Sequence, residues 1–352
     1  MWNYRQGLDQ LPTYSVEDKD WDIKLDANEN PINLPPLVHE RVINRLSFLP
    51  FNRYPEMSML SLREQIASDY NLSVDNILIG SGSSEILLAL CHALGGAGHS
   101  IVYPTPSFSM YGIYVKMADG LPIPVELEQD YTVNRDKVLQ AAEEANTSLI
   151  MLCNPNNPTG TIMPAEDIEY IVSRATCPVA VDEAYYEFYG QSAVNLLNKY
   201  PNLIVTRTFS KAYGLASARV GYMLASAELT AAVGKVMMPY HVNALSLATA
   251  EVVYQMRDEF QGVISQTVAE RSRMATALKN LTDVYVYPSE ANFLLIKVDK
   301  AKEVAAHLAE KQISIRDFSS TPGLTDCLRV TIGTPIENDA FIKAVKQFLE
   351  RG

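Results

Sequence analysis

The residues at 203–221, LIVTRTFSKAYGLASARVG, place a lysine where it could do covalent chemistry. A β-branched run at 203–206 predicts a buried strand, which ends in a turn rich in Gly, Ala and Ser. Lys211 follows this strand, with hydroxyl groups before it and Arg219 eight residues later. This arrangement suits a Schiff-base lysine beside an anion site. By itself the stretch favours a solvated surface charge, because most lysines are exposed.

A second candidate is the turn at 80–85, GSGSSE, which lies between a predicted strand at 76–79 and a predicted helix at 86–94. A strand, a glycine turn and a helix N-terminus together present free backbone N–H groups and a positive dipole end to a phosphate. The same turn also fits ordinary helix capping, so both interpretations stay open. The turn lacks the GxxxxGKS/T and GxGxxG patterns, which disfavours nucleoside triphosphates and dinucleotides.

Two further predicted strands also end in polar residues. The strand at 148–153 leads into NPNNPTG at 154–160, a loop whose prolines and glycine rigidify the backbone and direct an asparagine amide into a site. The strand at 179–182 leads into Asp182, Glu183, Ala184 and Tyr185. Singly, such an aspartate could cap a helix and such a loop could be only a turn. Together, an amine, a carboxylate, hydrogen-bond donors and a phosphate cradle are what pyridoxal phosphate requires.

The predicted elements that position these residues alternate between strand and helix. The predicted segments are strands at 76–79, 100–103, 121–125, 148–153, 179–182, 203–206 and 222–224, and helices at 35–46, 58–70, 86–94, 107–118, 135–145 and 164–175. Several strands are continuous apolar runs, typical of strands covered on both faces. The sequence therefore predicts an α/β fold with a mostly parallel sheet, whose ligands lie beyond the carboxyl ends of the strands.

The residues from about 236 onward have a different pattern. A long predicted helix at 244–281 is followed by strand pairs that a helix at 301–311 separates, which predicts a smaller α+β domain. Two of its strands carry Arg316 and Arg329 between apolar residues. Because an unpaired buried guanidinium is costly, each arginine needs either an acidic partner or an anionic ligand.

Composition and charge limit the kinds of function that the protein can have. The 352 residues carry a net charge of −12, which argues against nucleic acid or an anionic membrane surface as the main partner. No apolar run reaches about 18 residues, so no membrane span is expected. The N-terminal residues lack the pattern of a secretory signal, and the four cysteines show no CxxC spacing. These features predict a cytoplasmic protein with reduced thiols.

The sequence resembles the fold-type I, aspartate-aminotransferase-like pyridoxal phosphate enzymes, and more closely their histidinol-phosphate aminotransferase branch. The resemblance covers nearly the whole chain through the motifs ANENP, RYPE, NPNNPTG, VDEAYYEF, RTFSKAYGLASARVGY, YPSEANFLLI and LRVTIGT. It implies an N-terminal arm at 1–30, a large domain with a seven-stranded, mostly parallel sheet at 31–240, and a small α+β domain at 241–352 that begins with the linking helix.

The resemblance also implies a role for each site residue. Lys211 carries the cofactor and acts as the general base, and Asp182 pairs with the pyridine nitrogen. Asn157 and Tyr185 bind the 3′ oxygen, and Phe108 stacks on the ring. The implied phosphate ligands are Ser83, Ser84, Thr208, Ser210 and Arg219, together with Tyr54 of the partner subunit. The implied substrate ligands are Tyr14, Asn157, Asn292, Arg316 and Arg329.

The activity that the resemblance implies is transamination of L-histidinol phosphate with 2-oxoglutarate, in histidine biosynthesis, by a homodimer. Threonine-phosphate decarboxylases and aromatic amino acid aminotransferases share the scaffold and stay as alternatives. A regulator built on the same fold would need a DNA-binding module, and the sequence has no basic helix-turn-helix segment. His241 departs from the branch, which often has asparagine there, and either changes substrate selectivity or only packs.

Overall fold

The computed structural model describes residues 2, 7–8, 11 and 19–350. The strands are β1 (Ile23–Leu25), β2 (Ile77–Gly80), β3 (Ser100–Thr105), β4 (Leu121–Glu126), β5 (Thr147–Cys153), β6 (Val179–Asp182), β7 (Leu203–Thr208), β8 (Gly221–Ala225), β9 (Val284–Val286), β10 (Phe293–Val298), β11 (Ile313–Asp317) and β12 (Cys327–Thr331). The α-helices are α1 (Pro36–Leu46), α2 (Leu60–Asp69), α3 (Ser83–Leu94), α4 (Met110–Met117), α5 (Arg135–Glu144), α6 (Ala165–Arg174), α7 (Tyr186–Tyr189), α8 (Ala227–Gly234), α9 (Ala244–Gln255), α10 (Gln261–Lys279), α11 (Ala301–Glu310) and α12 (Pro335–Leu349).

The larger sheet has seven strands in the order β2-β8-β7-β6-β5-β3-β4. Neighbouring strands from β7 to β4 pair in parallel, and β8 runs antiparallel to both of its neighbours. Alternate residues of these strands belong to two separate hydrophobic clusters, so helices cover both faces of the sheet. The predicted α/β fold and its mostly parallel seven-stranded sheet are confirmed.

The strand register brings the predicted site residues to one edge of this sheet. Cys153 at the end of β5 pairs with Asp182 at the end of β6, and Asp182 pairs with Thr206 of β7. Because the strands are parallel, the loops that follow them leave the sheet on the same side. The segments that carry Asn157, Tyr185 and Lys211 therefore start from neighbouring strand ends.

The smaller sheet has five strands in the order β1-β11-β12-β10-β9. The N-terminal arm predicted at 1–30 contains the short strand β1, which pairs in parallel with β11. Only three residues form this strand, which is too short for a periodic pattern, and its partner lies 290 residues away in the chain. The sheet's helices and inward-facing strand residues share a separate core.

The prediction of a single helix at 244–281 is wrong. The chain forms α9, then a 3-10 turn at Arg257–Phe260, and then α10. Arg257 bonds to Asp69 of α2, while Phe260 is buried edge-on against Tyr213. These tertiary contacts fix the turn against the larger sheet, and helical periodicity alone does not report them. Core residues from 242 to 264 pack with the larger sheet; the domain boundary near 240 stays a prediction.

Two predictions about composition can be compared with the described chain. All four cysteines are buried free thiols. Of the helices described, none combines the length and the apolar content needed to cross a bilayer.

Candidate active site

A cavity of about 560 Å³ lies at the carboxyl ends of β5, β6 and β7, between the two sheets. Twelve of the residues singled out from the sequence line it, and these are Ser83, Ser84, Phe108, Asn157, Asp182, Tyr185, Thr208, Ser210, Lys211, Arg219, Arg316 and Arg329. A cavity of this size is typical of sites for small ligands and cofactors. The structure therefore brings the separate sequence motifs together around one space.

Lys211 is the amine of this site. It lies in the turn after β7, and its Nζ donates a hydrogen bond of 2.8 Å to the backbone oxygen of Ala27. Burial is the largest influence on the amine and, with the nearby positive charge of Arg329, lowers its pKa from 10.5 to about 7. A substantial fraction of Lys211 is therefore neutral and nucleophilic near pH 7.

Asp182 is the buried carboxylate, with only 4% of its surface exposed. Tyr111 donates to its Oδ2 at 3.0 Å, and Thr206 donates to its Oδ1 at 3.2 Å. Burial raises the pKa of Asp182 to about 6, although these hydrogen bonds act in the opposite direction. Such a carboxylate is suited to a positively charged ring nitrogen. The sequence analysis missed both partners; the parallel register of β6 and β7 could have indicated Thr206.

An anion cradle lies at the start of α3. This helix begins at Ser83, earlier than predicted, and its N-cap Gly82 provides no side chain to cap the first N–H groups. Arg219 lies beside it and donates to the Ser210 hydroxyl at 3.2 Å. A Cβ atom on Gly82 would come within 2.7 Å of the Arg219 guanidinium, so a glycine permits this close approach. The backbone N–H groups, hydroxyls and guanidinium suit a phosphate.

Two arginines form the opposite, basic wall of the cavity. Arg329 donates to Asn157 Oδ1 at 2.6 Å and to the backbone oxygen of Asp26 at 2.5 Å. Because its carbonyl oxygen accepts from Arg329, the Asn157 amide keeps its NH₂ group for another acceptor. Arg316 is the register partner of Arg329 on β11, and within the described part of the chain it forms no salt bridge with an acid. The acidic-partner alternative is therefore not observed for Arg316.

Three described residues that were discussed from the sequence do not line the cavity. Tyr54 is 79% exposed and stacks on Tyr240, with ring centroids 4.5 Å apart. Asn292 is buried, and its Nδ2 donates to the backbone oxygen of Asn28 at 3.0 Å. The ring nitrogens of His241 lie 2.6 and 3.0 Å from backbone oxygens, which favours the packing interpretation. Tyr14 lies outside the described residues.

Asn28 is a functional candidate that the sequence analysis did not select. It lines the cavity, is almost completely buried, and donates from Nδ2 to the Tyr185 hydroxyl at 3.0 Å. Lys24, Phe318 and Cys153 also line the cavity. Asn28 lies in the ANENP motif, which was a signal that could have identified it.

Comparison with known proteins identifies the class. The family model described as "Aminotransferase class I and II" matches residues 21–345, and the chain belongs to that family of pyridoxal phosphate-dependent transaminases. The chain is 38% identical to the histidinol-phosphate aminotransferase of Caldanaerobacter subterraneus subsp. tengcongensis, with 98% of each protein covered. It is also 38% identical to that of Ruminiclostridium cellulolyticum, with 96% of each covered. These relatives place it in the histidinol-phosphate aminotransferase branch.

Solved structures agree with this fold. A putative histidinol-phosphate aminotransferase from Erwinia carotovora atroseptica has 26% identity and a TM-score of 0.86, with 94% of this chain and 96% of that one covered. The histidinol-phosphate aminotransferase of Sinorhizobium meliloti, solved in complex with pyridoxal-5'-phosphate, has a TM-score of 0.91 at 24% identity, with 100% and 98% covered. At that identity, the second likeness concerns the fold alone.

Proposed function

We propose that the chain transfers the amino group of L-histidinol phosphate to 2-oxoglutarate, giving imidazole acetol phosphate and glutamate, as a step of histidine biosynthesis in the cytoplasm. The observation that carries this proposal is the convergence of Lys211, Asp182 and two arginines on one cavity. The name shared by the full-length relatives supports the choice of substrate.

The residues present fit pyridoxal phosphate. Because Gly82 has no Cβ atom, the Arg219 guanidinium can lie next to the start of α3. This cradle would hold the phosphate. The buried carboxylate of Asp182 would hold the ring nitrogen in its protonated form. Tyr185 and the free NH₂ group of Asn157 would donate to the ring oxygen. When bound, the cofactor supplies an aldehyde that exchanges amines and a ring that accepts electron density.

The side chains of the cavity account for the proton movement. Lys211 Nζ takes the proton from the substrate Cα, because its lowered pKa of about 7 makes the neutral base available at physiological pH. Asp182 keeps a negative charge in a buried position, where it acts strongly on a nearby cation.

Arg316 and Arg329 are proposed to hold the substrate anions. Their guanidinium groups suit both a carboxylate and a phosphate, since each can donate two parallel hydrogen bonds. The overall charge of −12 repels an anionic substrate, so these local positive charges must provide the attraction. Glutamate and histidinol phosphate would then use the same wall of the cavity in the two half-reactions.

A homodimer is the proposed assembly, in which Tyr54 of the partner subunit reaches the phosphate. Large exposed apolar side chains occur on α1, on the loop after it, on the segment before α9 and on the first turn of α9, namely Leu37, Ile43, Phe48, Phe51, Tyr54, Met57, Val236, Met238, Tyr240 and Leu245. The stacking of Tyr54 on Tyr240 joins the loop and the segment before α9 in one surface. Apolar surface of this extent is typical of a protein interface.

The substrate is tested by a half-reaction without 2-oxoglutarate. We expect L-histidinol phosphate to convert the bound cofactor to its aminated form, which absorbs at a different wavelength, while Lys211→Ala still binds the cofactor and does not complete this conversion. Arg316→Lys should retain the charge but weaken substrate binding, because a lysine cannot form the bidentate contact. A response to an aromatic amino acid and not to histidinol phosphate, or release of carbon dioxide from threonine phosphate, would favour the alternatives.

The shared site is tested by mixing two weakened dimers. Lys211→Ala subunits retain Tyr54, and Tyr54→Ala subunits retain Lys211. If Tyr54 acts across the interface, a hybrid dimer contains one complete site, and mixing after dissociation should restore activity. If Tyr54 acts within its own subunit, the hybrid contains no complete site and mixing restores nothing.

A further inference from the structure

The Tyr185 hydroxyl has an unusual hydrogen-bond partner. Tyr185 is 4% exposed, its ring packs edge-on against Phe293, and its hydroxyl accepts a hydrogen bond from Asn28 Nδ2 at 3.0 Å. An amide NH₂ group can only donate, so this contact uses a lone pair of the phenol oxygen. The single phenol proton therefore stays available for an acceptor on another side.

Thr331 determines which end of the Asn28 amide faces Tyr185. The backbone N–H of Asn28 donates to the Thr331 hydroxyl at 2.9 Å, and this hydroxyl lies 3.3 Å from Asn28 Oδ1. Since the hydroxyl already accepts the N–H, its own proton goes to Oδ1. The amide oxygen is thereby fixed toward Thr331, and the amide nitrogen is fixed toward Tyr185.

The surrounding structure holds Asn28 in this position. Asn292 donates to its backbone oxygen at 3.0 Å, and the side chains of Asn28 and Thr331 are 1% and 2% exposed. The backbone of Asn28 is left-handed, with φ of 54°, a conformation that asparagine tolerates better than most residues. Thr331 is two residues beyond Arg329 on β12, so both side chains lie on the same face of that strand.

We infer that Thr331 and Asn28 are positioning residues, which form a relay that fixes the direction of the Tyr185 proton toward the anionic ring oxygen of the cofactor. This inference rests on the proposed function. Burial raises the pKa of the Tyr185 hydroxyl to about 12, so the phenol retains its proton at physiological pH. The relay connects the strand that carries Arg329 to the residue that acts on the cofactor. Its effect is to stabilise negative charge on the ring oxygen.

The test is Asn28→Asp, which keeps the shape of the side chain and its tolerance of the left-handed backbone. The introduced carboxylate accepts the Tyr185 proton, which reverses one hydrogen bond. Losing a donor to the ring oxygen should raise the pH midpoint of the bound cofactor's absorbance by about one unit. Tyr185→Phe should raise it similarly. Cofactor affinity, measured by titrating the apoenzyme, provides a readout that does not depend on turnover.

The double variant separates the relay from a simple charge effect. In a Tyr185→Phe background, Asn28→Asp should produce no further shift, because no phenol proton remains to redirect. The relay is overturned if Asn28→Asp shifts the pH midpoint equally in the Tyr185→Phe background, or if it causes no shift in the wild-type background. Thr331→Val leaves Asn28 in place and should raise the pH midpoint of the cofactor's absorbance by a smaller amount, again only when Tyr185 is present. This variant provides the test if Asn28→Asp does not fold. A wild-type chain that binds no pyridoxal phosphate would instead overturn the proposed function.

Discussion

Replacing Asp182 by asparagine should stabilise the apoenzyme and weaken the holoenzyme. The carboxylate is buried, and its pKa of about 6 lies about two units above the ordinary value of 3.8. Since one unit corresponds to about 1.4 kcal/mol, ionising Asp182 in the folded apoenzyme costs about 3 kcal/mol relative to the unfolded chain. The isosteric amide removes this cost and can still hydrogen-bond Tyr111 and Thr206.

The sign of the pH dependence follows from proton binding. Between pH 4 and 6 the folded protein binds more protons at Asp182 than the unfolded chain does, so the free energy of unfolding falls as pH rises through this range. By about pH 7, one unit above the pKa in the folded protein, the loss is nearly complete and this contribution becomes constant. Asp182→Asn removes this pH-dependent fall in the free energy of unfolding. The variant should therefore become more stable relative to wild type by about 3 kcal/mol between pH 4 and pH 7.

The assay is denaturant unfolding of both apoenzymes at several pH values, followed by titration with pyridoxal phosphate at pH 8. The variant should bind the cofactor more weakly, because the amide cannot stabilise a protonated ring nitrogen as a carboxylate does. Parallel stability curves for variant and wild type between pH 4 and 7 would refute the reasoning. Unchanged cofactor affinity would refute the role assigned to Asp182.

Two further substitutions test the cradle and the strand ends that support the site. Gly82→Ala should weaken cofactor binding by about 10- to 100-fold, since the new methyl group displaces the Arg219 guanidinium and one charged hydrogen bond is lost. Gly190→Ala is the control for a methyl group added at a φ of 80° with no atom within 4 Å of the added carbon; its ψ is 4°, whereas that of Gly82 is 163°. Equal losses in the two variants would contradict the steric argument. Arg207 donates to Glu183 Oε2 at 2.9 and 3.0 Å, and both side chains are buried. Glu183→Gln should therefore lower the free energy of unfolding in urea by about 3 kcal/mol, because the Arg207 charge stays buried without its acidic partner. Glu350→Gln breaks an exposed pair and should change stability by less than about 1 kcal/mol; a similar cost for both would refute the effect of burial.

Local sequence patterns predicted the central strands well. The bounds of β6 agree with the prediction, and β5 and β7 differ by one or two residues at an end. These strands are continuous apolar runs that end at polar or turn-forming residues, so both the strand and its end are visible within a few residues. Because parallel strands share a direction, predicting their ends also predicted that Asn157, Asp182 and Lys211 would meet.

The features that the sequence did not reveal depend on partners far away in the chain. β1 becomes a strand by pairing with β11, and Tyr111 becomes part of the site because its hydroxyl reaches Asp182 from another element. Asn28 donates a hydrogen bond to Tyr185, which is 157 residues later. Neither composition nor periodicity carries such information, because each contact is set by the packing of the two sheets and their helices.

The cavity disfavours the charged form of both groups that are proposed to engage the cofactor. Burial lowers the pKa of Lys211 from 10.5 to about 7 and raises that of Asp182 from 3.8 to about 6. A ligand that bonds covalently to the amine removes the first penalty, and a ligand that brings a ring cation to the carboxylate removes the second. Pyridoxal phosphate would do both, and its phosphate would add an anion for the Arg219 cradle. We therefore expect part of the cofactor's affinity to come from relieving the desolvation of these groups, so the isosteric change at Asp182 should move apo stability and cofactor affinity in opposite directions.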